Sequence, residues 1–155
     1  MNKLLSVLLL LVVIGFLVLP TGQAVQAQVL SFPAQINKSL TPLTIEPGGI
    51  SRLQVTIFNP NAFELTAAAW TDNLAGVQPG ILIASPANVS TTCGGSVTAS
   101  PGGTTLSLSG GSVPAQTGST PGSCTVSVDV TSTVAGNLIN TIPAGALSSS
   151  GGGGT

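Results

Sequence analysis

The side chains able to do chemistry are few. Four carboxylates (Glu46, Glu64, Asp72 and Asp129), two cysteines (Cys93 and Cys124), Lys3, Lys38 and Arg52 make up almost the whole inventory, with no histidine and no tyrosine. Without histidine, neither a Ser/His/Asp nor a Cys/His nucleophilic centre can be assembled. Glycoside hydrolysis needs two converging acids. Asp72 and Asp129 are the better pair among four well-separated ones, but Asp72 lies between Trp70-Thr71 and Asn73, where an Asx-type turn cap is the expected role. Asp129 is expected to point outward into solvent, and no Asp-x-Asp-x-Asp spacing supports a calcium loop. The sequence therefore assigns no catalytic, cofactor-binding or metal-ligating residue, and the chain reads as a non-enzyme.

Lys38 is the sole lysine after Lys3. Some bacterial surface sandwiches join a lysine to an asparagine through an intramolecular isopeptide bond promoted by a buried acid, and Asn140, expected on a late strand, is a candidate acceptor. A solvated lysine beside Asn37 and Ser39 is the expected reading. Trp70, the one tryptophan, is expected in the core; exposed, it would offer a stacking platform for a sugar.

Composition narrows the partners. Only 5% of residues are charged, against about a quarter in a typical soluble domain, so the surface must be built from Ser, Thr, Asn and Gln. Three basic residues cannot neutralise a phosphate backbone, which excludes nucleic acid. With 43% apolar residues the chain has enough hydrophobicity to fold.

Residues 1–27 form an address. Met1-Asn2-Lys3 is a positive n-region, and residues 4–19 are an apolar run shorter than the about 18–20 residues that span a bilayer. Pro20 breaks the run, and Val25-Gln26-Ala27 places small residues for cleavage between Ala27 and Gln28. Membrane contact is expected only through this signal peptide during export. The exported environment permits disulfides. A Cys93–Cys124 bridge is the expected pairing, with free thiols and intermolecular pairing as the alternatives.

The elements that position these groups read as short strands. Residues 51–57 alternate, with Leu53, Val55 and Ile57 on one face and Arg52, Gln54 and Thr56 on the other. Ala68 and Trp70 share a face in residues 65–72. Residues 81–84 are a short apolar run, and Leu106 and Leu108 alternate with serines. Residues 123–131 put Cys124, Val126, Val128 and Val130 inward, and residues 137–142 predict another strand. Turn residues recur every eight to twelve positions, and no long amphipathic helix interrupts them, which indicates an antiparallel β-sandwich. Gly94-Gly95-Ser96-Val97 and Gly110-Gly111-Ser112-Val113 read as similar turns entering successive strands. Residues 148–155 have linker composition.

A family resemblance rests on particular pieces. These are Ile45-Glu46-Pro47-Gly48-Gly49, Asn59-Pro60-Asn61, Trp70-Thr71-Asp72-Asn73-Leu74, Thr92-Cys93-Gly94-Gly95, Ser123-Cys124-Thr125-Val126 and Asn140-Thr141-Ile142-Pro143-Ala144-Gly145. Residues 32–152 resemble the immunoglobulin-like repeat of unknown function found in bacterial surface and extracellular, adhesin-like proteins. The resemblance implies a sandwich of about seven strands with Cys93 and Cys124 bonded, and no catalytic residues. The order Trp, Cys, Cys differs from that of antibody domains. Residues 116–121 are an insertion-like loop relative to the repeat, and the chain stops at Thr155 where family members continue into a final strand.

These readings set the expectations. Residues 28–147 form an all-β, immunoglobulin-like domain lacking its last strand, followed by a Ser/Gly-rich tail or truncated linker at residues 148–155. The domain is a structural or adhesive module of an exported, cell-surface or extracellular protein, the N-terminal part of a multi-repeat chain. Its partners are neighbouring repeat domains or other surface proteins. The alternatives are a glycan-binding module and a strand-exchanging filament subunit in which residues 28–40 are donated.

Overall fold

The structure, a computed structural model, describes residues 30–76 and 80–151. The expected signal peptide, and the cleavage expected between Ala27 and Gln28, lie outside the described residues. Nine strands occur among the described residues: β1 (Gln35–Thr41), β2 (Ile50–Asn59), β3 (Leu65–Asn73), β4 (Ile81–Ile83), β5 (Ser90–Thr91), β6 (Ser96–Ala99), β7 (Thr105–Val113), β8 (Gly122–Ser132) and β9 (Ser148–Ser150). They form two antiparallel sheets. One has the order β1-β2-β8-β4, with β5 also paired to β8; the other has the order β6-β7-β3-β9.

The two longest strands obey the alternation read from the sequence. Leu53 lies opposite Val128, Val55 opposite Val126 and Ile57 opposite Cys124. All six are buried, and so are Leu65, Ala68, Trp70, Leu106 and Leu108 from the other sheet. The two inner faces thus make one β-sandwich core.

Strand β3 departs from simple alternation once. Ala67 has φ +52°, and the register between Leu65 and Ala68 shifts at that point, so Leu65 and Ala68 both face inward although three positions apart. The partner strand compensates: Ala68 pairs with Gly111 and Trp70 with Leu108, a second bulge beside Gly110 at φ +67°. The second Gly-Gly motif is therefore a bulge inside β7, not a turn entering a strand. The first, Gly94-Gly95, does precede β6. A Cβ on Gly95 would sit 2.4 Å from the Ser109 carbonyl oxygen and 2.8 Å from the Gly110 carbonyl carbon, so the two motifs pack backbone to backbone.

Other expectations shift. Residues 137–142 form no strand. The period-two alternation is real, since Leu138, Asn140 and Ile142 are half-buried while Ile139 and Thr141 are exposed, but it serves packing against the core without a hydrogen-bonded ladder. Strand β9 falls within the segment whose composition reads as a linker; Ser150 pairs with Thr66 and Ser148 with Ala69. Strand β1 pairs along its length with β2 of the same chain. The loop at residues 116–121 closes on itself through two Thr117–Thr120 backbone hydrogen bonds of 2.9 and 3.0 Å.

Candidate functional site

The described residues bring Lys38, Asp72 and Asn140 to one place, and the two ionisable ones arrive by ordinary strand geometry. On β1, Ile36, Lys38 and Leu40 face the interior while their neighbours are exposed. On β3, Ala68, Trp70 and Asp72 lie on the buried face. Both ionisable residues thus occupy positions that alternation reserves for apolar side chains. Asp72 is fully buried rather than a turn cap, and the Lys38 side chain is only 15% exposed rather than solvated. Periodicity alone marks both positions as inward: extending the Ala68–Trp70 spacing by two reaches Asp72, and Lys38 sits midway between Ile36 and Leu40.

The segment between β8 and β9 supplies Asn140. Lys38 Nζ donates to Asp72 Oδ2 at 3.0 Å and to Asn140 Oδ1. Asn140 Nδ2 donates to Asp72 Oδ1 at 3.0 Å and to the Asn73 carbonyl oxygen at 2.8 Å. One carboxylate therefore spans the lysine amine with one oxygen and the asparagine amide nitrogen with the other. Burial pushes the Lys38 amine below its usual value, while the charge and hydrogen bond of Asp72 pull it back up. Burying the acid without these donors would be costly.

The other ionisable pair is a surface network. Arg52 Nη1 donates to Asp129 Oδ1 at 2.9 Å and to the Asn88 carbonyl oxygen, and Nη2 donates to Ser90 Oγ at 2.8 Å. Asn88 Nδ2 donates to Asp129 Oδ2 at 2.7 Å. This ties the β4–β5 connection to the outer face of β2 and β8, and both Asp129 oxygens are engaged by protein donors. Asp72 and Asp129 belong to different sheets and share no site.

Cys93 and Cys124 are bonded, with Cα atoms 4.9 Å apart. Cys124 lies on central strand β8; Cys93 lies where the chain crosses from β5 in one sheet to β6 in the other, and its carbonyl accepts from Ser112 N on β7 at 2.8 Å. The bond fastens this crossover to the core. Trp70 is 3% exposed, with its indole N–H unpartnered, so it presents no platform to a sugar. A groove of about 490 Å³ between residues 43–47 and 134–138 has no aromatic side chain in its lining.

No curated protein matches the chain. Residues 34–155 match the model of a family described as a domain of unknown function, DUF7933, and the chain belongs to that family.

Proposed function

We propose that the chain is a non-enzymatic structural module of an exported bacterial protein, immunoglobulin-like in lineage, acting at the cell surface or in the extracellular space beside neighbouring repeat domains or other surface proteins. The observation that carries this reading is the Cys93–Cys124 bond, a crosslink that persists in oxidising compartments. The signal-peptide-like pattern of residues 1–27 and the low content of charged residues support it. A surface with few charges offers many neutral hydrogen bonds and little long-range steering, which suits a spacer or an adhesive contact. Burial of Trp70 weighs against stacking on a glycan.

The test is fractionation of producing cells, followed by immunoblotting with an antibody to residues 51–72 and thiol labelling before and after reduction. The expected result is protein at the surface or in the medium, with cysteines that label only after reduction. Cytosolic protein with freely labelled thiols overturns the proposal. The same blot reads assembly. A chain far larger than this one supports a multi-repeat context, and a heat-sensitive ladder supports strand exchange.

A further inference from the structure

Three features of the Lys38 site go beyond what an ion pair needs. The amine touches the side-chain carbonyl oxygen of an asparagine as well as the carboxylate. The carboxylate bridges the amine and that asparagine's amide nitrogen, with two contacts of 3.0 Å. The acid is fully buried and the lysine side chain is 15% exposed, so the amine is largely drawn out of water beside the carboxylate that can take its proton. A lysine amine becomes a nucleophile when desolvated beside a group that takes its proton, and fixed proximity replaces the cost of bringing the reactants together.

We propose that Lys38 Nζ and Asn140 Cγ join in an intramolecular isopeptide bond with release of ammonia, Asp72 serving as the proton carrier. Asp72 Oδ2 takes one proton from the Lys38 ammonium, and the freed lone pair forms the Nζ–Cγ bond. The carbonyl electrons move onto Asn140 Oδ1. As they return, the Cγ–Nδ2 bond breaks, and Nδ2 departs as ammonia with its own two hydrogens and a second lysine proton relayed through Asp72. The third lysine proton stays on the new amide nitrogen, and Asp72 is left holding the first. No oxidant or reductant takes part. The product ties β1 of one sheet to the segment entering β9 of the other, across a sequence separation of 102 residues.

Trypsin reads the bond directly, because Lys3, Lys38 and Arg52 are its only cleavage sites in the chain. In the reduced, denatured full chain carrying an isopeptide bond, Lys38 resists cleavage. A cut after Arg52 then severs the backbone but leaves the preceding segment attached to residues 53–155. Fragmentation of that branched product is expected to place the junction at Lys38 and Asn140, with a mass about 17 Da below the sum of its parts after the cut. The junction is needed because cyclisation of an N-terminal Gln28 would lose the same mass. Cleavage after Lys38, with release of unlinked residues 39–52, overturns the proposal and leaves a structural ion pair. Asn140→Ala is expected to abolish the linkage, and Asp72→Asn to slow its formation by about 100-fold or more. Formation at the unaltered rate in Asp72→Asn overturns the role given to Asp72. The unsubstituted chain decides whether the bond exists even if a variant fails to fold.

Discussion

Lys38 on β1 and Asp72 on β3 belong to different sheets, yet their charged atoms lie 3.0 Å apart with the acid fully buried. The pair crosses from one sheet to the other at inward positions whose strand neighbours, Ile36, Leu40, Ala68 and Trp70, are apolar. Removing one partner strands the other. In an Asn140→Ala background, which cannot form the isopeptide bond, Asp72→Ala is expected to lower the unfolding free energy by about 3–5 kcal/mol, read by urea denaturation. Replacing both charges in that background, Lys38→Met with Asp72→Leu, is expected to cost less than Asp72→Ala, because no unpaired charge remains.

Reduction isolates the disulfide. Cys93 and Cys124 are 31 residues apart, and opening that loop is expected to lower stability by about 3–4 kcal/mol. The shift should appear as a lower denaturation midpoint in reductant. A Cys93→Ala, Cys124→Ala double variant should show the same midpoint with or without reductant.

Asn59 holds a buried polar junction at the end of β2. Its Nδ2 donates to the carbonyl oxygens of Phe63 at 2.7 Å and Pro114 at 2.9 Å, and its Oδ1 accepts from Asn61 N at 3.0 Å and Asn61 Nδ2 at 2.9 Å. Asn59→Ala leaves several of these groups without partners, each costing about 1–3 kcal/mol. A loss of about 3 kcal/mol or more is expected in chemical denaturation. Gln54→Ala, on the exposed side of the same strand, should change stability by less than about 0.5 kcal/mol.

Acid should weaken the outer network. The Asn88 hydrogen bond, and then the hydrogen bond and charge of Arg52, hold the Asp129 carboxyl below its ordinary value of 3.8, with desolvation opposing them. Its stabilisation is therefore fully present above that ordinary value and is lost as pH falls through the lower folded value. Asp129→Asn should flatten this part of the stability–pH curve and leave the curve's shape above pH 5 nearly unchanged.

The strands that pair most regularly were the most legible. Residues 51–57 and 123–131 alternate because each has one face on the core and one on solvent, so composition alone orients Leu53, Val55, Val126 and Val128. Residues 137–142 carry the same alternation without a ladder, and period two reports which side chains face inward, not whether a neighbouring strand exists. Ser148–Ser150 has no apolar pattern to read, since β9 is held to β3 by backbone pairing. The bulge at Ala67 adds a residue that no periodicity anticipates. Lys38 and Asp72 were hidden by their residue types. Their positions are inward, but charge argues for solvent until a partner is known, and that partner lies on another strand 34 residues away.

Ser31 Oγ donates to the Gly151 carbonyl oxygen at 2.6 Å, so the polypeptide enters and leaves the sandwich at the same pole. Tension applied between these two points would not stretch the domain along its strands. It would peel β1 from β2 starting at Gln35, and β9 from β3 starting at Ser150, opening one bonded pair at a time. A Lys38–Asn140 bond halts that unzipping partway along β1. It seals off a loop whose pulled-out length would reach about 350 Å, and the force then passes around the core rather than through it.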